Sequence, residues 1–65
     1  MKIIVNGAEL ELGAATLAEA LDALDYGEAV VATAVNGHFV AARRRPVTKL
    51  ADGDRIEIVA PRQGG

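Results

Sequence analysis

The sequence has no cysteine and no tryptophan, and only one tyrosine, one phenylalanine and one histidine. Without cysteine, a disulfide scaffold, a zinc ribbon and thiol redox chemistry are excluded. His38 is the single imidazole, so no metal site is expected, and a nucleophilic triad would have one residue from which to draw its base. Aromatic surface for stacking bases is nearly absent. The formal net charge is −2, so general nucleic-acid binding is not expected. No apolar run approaches membrane-spanning length. Only three apolar residues separate Met1-Lys2 from Asn6-Gly7, too few for a signal-peptide core. A cytoplasmic protein with no membrane partner is the expectation.

The chain has 65 residues, enough for one domain. Half of it is apolar, but thirteen of those residues are alanine. A core built from the remainder leaves no volume for a large enclosed substrate pocket. Size therefore favours a binding or carrier module over a stand-alone enzyme.

Residues 2–6, with β-branched Ile3, Ile4 and Val5 at their centre, read as a strand. Asn6-Gly7 is a type I′ hairpin signal, because both central residues must tolerate positive φ. Glu9-Leu10-Glu11-Leu12 alternates and reads as the returning strand. Gly13 breaks it. Thr16-Leu17-Ala18-Glu19 is a capping box that opens a helix running to about Leu24 or Asp25, with Gly27 as its stop. Residues 29–35 read as a strand, Asn36-Gly37 as a second turn, and 38–40 as a short return. Arg43-Arg44-Arg45-Pro46 reads as irregular, and Ala51-Asp52-Gly53-Asp54 as a turn. Residues 55–59 form the last strand, and Pro61 ends it.

The order is ββ-α-β-β-β, an α+β fold with one helix packed across a mixed sheet. The last strand is expected parallel to the first, with both central. This is the β-grasp arrangement. The domain covers 1–60, and 61–65 is expected to be a flexible C-terminal tail. Alternation places Ile3, Val5, Val35, Ile56 and Ile58 inward. It places Ile4, Ala34 and Val59 on the opposite face, where an apolar strip makes a possible docking face.

The tail ends in Gly64-Gly65. Terminal glycines add no packing and lose the most entropy on ordering. Their use is slenderness: such an end threads a narrow channel and leaves an unhindered carboxylate. Adenylation of that carboxylate by ATP makes it an electrophile, and a sulfur nucleophile can then displace AMP. No catalytic residue within the chain is needed. Residues 1–36 carry six acids and one base, whereas 37–65 carry three acids and six bases. The tail-bearing half is thus basic, which suits steering to an acidic partner or to nucleotide phosphates. Arg43-Arg44-Arg45 is either a docking patch or a solvated loop. His38 is expected at the surface, and Asp52 and Asp54 are read as turn formers rather than as a carboxylate pair.

Ala34-Val35-Asn36-Gly37 with Phe39-Val40, the run Leu50 to Val59, and Gln63-Gly64-Gly65 together resemble the ThiS sulfur-carrier family of thiamine (thiazole) biosynthesis, within the ubiquitin-like β-grasp superfamily. Ile3-Ile4-Val5-Asn6-Gly7 and the helix start at Thr16-Leu17 also fit, so the resemblance spans the chain. It implies a protein co-substrate that is not itself an enzyme and binds no cofactor. A ThiF-type adenylyltransferase consumes ATP to activate Gly65, a sulfur donor system converts it to a thiocarboxylate, and a ThiG-type thiazole synthase takes the sulfur. Arg62, Gln63 and Gly64 would enter the partner's active site. The alternatives are sulfur carriage for molybdopterin or tRNA thiolation, or a non-catalytic ubiquitin-like interaction or tag module.

Overall fold

The computed structural model describes residues 1–60. Strand β1 (Lys2–Val5) and strand β2 (Ala8–Glu11) form the first hairpin. Asn6 and Gly7 take φ of 50° and 87°, the left-handed pair that a type I′ turn demands. Strand β3 (Ala32–Val35) and strand β4 (His38–Val40) repeat the device around Asn36-Gly37. Strand β5 (Arg55–Val59) inserts between the hairpins, parallel to β1 and antiparallel to β3. The sheet order is β2-β1-β5-β3-β4, so the two Ile- and Val-rich strands are central, as their composition predicts.

Helix α1 (Leu17–Ala23) lies across one face. Its inward residues Leu17, Ala20 and Leu21 meet Ile3, Val5, Ile56 and Ile58 from the sheet. Each large aliphatic buried here contributes about 1.5–3 kcal/mol. Thr16 caps the helix, its hydroxyl accepting from the Glu19 amide at 3.3 Å. The Glu19 carboxylate reaches back one residue further than the capping-box pattern predicts, accepting from the Ala15 amide at 2.8 Å. The Thr16 region is also tied to residues 48–50: the Leu17 amide donates to Thr48 O and the Leu50 amide to Ala15 O.

Three local expectations are corrected. First, the helix ends near Leu24 as expected, but Gly27 is not its stop. Asp25 takes the left-handed conformation (φ 69°), the Tyr26 amide donates to Leu21 O, and the Asp25 amide donates to Asp22 O. That bond pair is a Schellman motif with Asp in the usual glycine position. Second, β3 starts at Ala32, not at residue 29. Ala32 pairs with Val59, the last residue of β5, so among the described residues no strand faces residues 29–31, and Val30 is exposed despite its β-branch. Third, the Arg-Arg-Arg-Pro segment is ordered as a 3-10 helix (Ala42–Val47). Its bonds bypass Pro46: the Arg44 amide donates to Ala41 O, and the Thr48 amide to Arg45 O.

Candidate functional site

Register places Ile4, Ala34 and Val59 on the sheet face opposite α1, while Val5, Ile56 and Ile58 face the helix. Ile4 and Ala34 are half-buried, and Val59 is 62% exposed. They border one open groove of about 700 Å³, also lined by Ala32 and Phe39. Phe39 is the largest apolar group on this face and is 72% exposed. The sequence reading of the docking face omits it. The signal for it lies in the turn: a two-residue loop at Asn36-Gly37 pairs Val35 with His38 and Ala34 with Phe39, so Phe39 must share the face of Ala34. Arg55 and Glu57 add charge within the groove, and Glu9 and Glu11 occupy the same face on β2. The face is therefore apolar toward β3, β4 and the end of β5, and charged toward β2, where Glu9 pairs with Lys2 and Glu11 with the N-terminal amine.

The arginine triplet divides. Arg43 and Arg44 are exposed, but Arg45 turns inward. Its Nε donates to Thr33 Oγ1 at 3.1 Å, and its Nη2 donates to Val31 O at 2.7 Å. Thr33 is buried, and its hydroxyl in turn donates to Val40 O at 2.9 Å. Arg45 thus satisfies polar atoms beside the Ala32–Val59 rung, which a solvated loop residue would not do. The same topology sets Arg43 and Arg44 at the end of the sheet where β5 finishes, because β4 runs antiparallel to β3 and leads directly into the 3-10 helix.

Asp52 and Asp54 serve the turn that starts β5. Asp52 Oδ1 accepts from the Lys2 amide at 2.7 Å, and Asp54 Oδ2 accepts from the Ala51 amide at 2.8 Å. Asp54 Oδ1 accepts from Asn36 Nδ2 at 3.0 Å. Gly53 at φ 89° fits the third position of a type II turn closed by the Asp54 amide on Ala51 O. His38 is exposed. Among the described residues, no group of three or more His, Cys, Asp or Glu side chains is placed to hold a metal ion, and no helix is long and apolar enough to cross a membrane. Arg62, Gln63, Gly64 and Gly65 lie outside the described residues, as does the 61–65 segment expected as a tail.

The family model described as the ThiS family matches residues 3–65. Among solved structures, the crystal structure of a thiamine biosynthesis protein (ThiS) from Geobacter metallireducens is similar, with 30% identity, all of both chains covered and a TM-score of 0.83. An NMR solution structure of a thiamine biosynthesis protein from Geobacter metallireducens gives 28% identity and a TM-score of 0.79, covering all of this chain and 88% of that one. No curated relative matches.

Proposed function

Because the chain belongs to the ThiS family, we propose that it is a sulfur carrier for thiazole formation in thiamine biosynthesis. The carboxylate of Gly65 is adenylated and then converted to a thiocarboxylate, from which the sulfur is transferred. The observation that carries this reading is the family match, which spans Ile3 to Gly65 over a β-grasp domain. Both similar Geobacter metallireducens structures are of a thiamine biosynthesis protein, which favours thiazole over molybdopterin or tRNA as the destination of the sulfur.

The chain acts as a protein co-substrate. A ThiF-type adenylyltransferase binds and consumes the ATP, and a ThiG-type synthase accepts the sulfur, in the cytoplasm. In this reading the outer sheet face docks the adenylyltransferase. Ile4, Ala34, Val59 and Phe39 give an apolar patch next to the last described residues, and five residues beyond Ala60 extend to about 16 Å, enough to reach a recessed site. Arg62, Gln63 and Gly64 occupy the channel, and their slenderness increases toward Gly65.

The test is pyrophosphate release from ATP by the adenylyltransferase of the same cell, with and without the chain. Release that requires the chain and disappears when Gly65 is deleted supports the reading. Release that is indifferent to Gly65 overturns it.

A further inference from the structure

We propose that Asn6 is a positioning residue for delivery of the C-terminal carboxylate, acting through the end of β5 and not on the reacting atoms. The inference rests on the carrier reading above. Strand β1 leaves the sheet at the Asn6-Gly7 turn while β5 continues to Val59. The parallel ladder would stop there. It is continued by a side chain: after the Asn6 amide donates to Ile56 O at 2.9 Å, Asn6 Oδ1 accepts from the Ile58 amide at 2.9 Å. Asn6 Nδ2 then donates to Ile58 O at 3.2 Å. The carboxamide thus takes the place of the peptide group that β1 would have supplied, and it satisfies both backbone groups of Ile58. On the other edge of β5, the corresponding hold is the Ala32–Val59 pair. Together they fix the strand from which residues 60–65 depart.

Asn36 supplies the same device at the opposite end of β5. Its amide donates to Arg55 O at 2.8 Å, and its Oδ1 accepts from the Arg55 amide at 3.0 Å. Both asparagines occupy left-handed turn positions, and both stand in for a missing ladder group. Asn36 holds the start of the strand and Asn6 its finish. They make a comparison pair: each caps one end of β5 from a left-handed turn, the Asn6 bonds part-buried and the Asn36 bonds exposed, and only Asn6 adjoins the reactive end.

The reaction requires the terminal carboxylate to meet the α-phosphate of ATP in a narrow range of positions. A misplacement near 1 Å costs up to about 100-fold in rate. If β5 frays at Ile58, Val59 on the docking face loosens with it and the delivered end loses its bearing.

Asn6→Ala, Asn36→Ala and Asn6→Asp are compared in the full chain for melting temperature, amide exchange at Ile58, and kcat and KM as substrate of the adenylyltransferase. Both alanine variants should melt somewhat lower than wild type. Asn6→Ala should speed Ile58 exchange and lower kcat about tenfold or more by the orientation argument, with a rise in KM from the loosened Val59 that is smaller than that of Val59→Arg. Asn36→Ala should keep kcat and Ile58 protection. Asn6→Asp retains the acceptor for the Ile58 amide but loses the donor to Ile58 O, so its kcat should fall between. Equal kcat for Asn6→Ala and Asn36→Ala, with wild type active, overturns this inference alone. A wild-type chain that is not adenylated overturns the carrier reading and this inference with it.

Discussion

Replacing Val59 by arginine separates docking from folding. Val59 closes β5 on the outer face and is 62% exposed, whereas Ile58 beside it points into the core and is 7% exposed. Little apolar burial is lost at position 59, so stability should change by less than about 0.5 kcal/mol. For a domain of this size that is a melting shift of roughly 2–4 °C. Docking is affected far more. Loss of an apolar anchor near the centre of an interface costs about 2 kcal/mol or more. That corresponds to roughly 30-fold in affinity, and the introduced guanidinium adds a desolvation cost. The assay is the KM of the chain in adenylyltransferase-dependent pyrophosphate release, measured beside a thermal melt. KM should rise roughly 30-fold while the melt stays within a few degrees. An unchanged KM in the folded variant would refute the outer face as the docking surface. A collapsed melt would refute the placement of Val59 outside the core.

Five further substitutions, Arg44→Ala and Gly13→Ala among them as controls, test the fold that presents this surface. Arg45→Ala removes two guanidinium bonds, to Thr33 Oγ1 and Val31 O, and should cost about 2 kcal/mol in a denaturant titration; Arg44→Ala, at an exposed position, should stay within about 0.5 kcal/mol. Gly53→Ala forces a Cβ into φ 89° and should destabilise by about 1–2 kcal/mol. Gly13→Ala meets no atom within 4 Å and should be tolerated in the same titration. Thr16→Ala deletes the hydroxyl that accepts from the Glu19 amide and should cost about 1 kcal/mol, seen as an earlier melt of the far-UV helix signal.

The parts of the fold legible in the sequence are those fixed by local chemistry. Each Asn-Gly pair sets a two-residue turn, and a two-residue turn sets its hairpin's register. The alternation of Arg55 to Val59 fixes which face each residue takes. The parts that were not legible depend on partners distant in sequence. Val30 and Val31 have strand propensity, yet β5 ends opposite Ala32 and, among the described residues, no strand faces them. Asp25 ends the helix because two backbone bonds of a Schellman turn hold it there, and residue type alone favours Gly27. Arg45 appears in sequence as one of three equivalent cations; only the fold brings Thr33 and Val31 to it. Asn6 and Asn36 are fully explained as turn residues by their spacing, so nothing in the sequence prompts the question of what their carboxamides bind. The candidate docking strip followed from strand alternation, and Phe39 could have joined it by counting across the second turn.

The most direct test of the carrier account is the intact mass of the chain after incubation with ATP, a sulfide source and the adenylyltransferase of its own cell. The account predicts a gain equal to the replacement of one oxygen by sulfur, localised to Gly65 and absent when Gly65 is deleted. An unchanged mass, with the enzyme demonstrably active on another carrier, would contradict it.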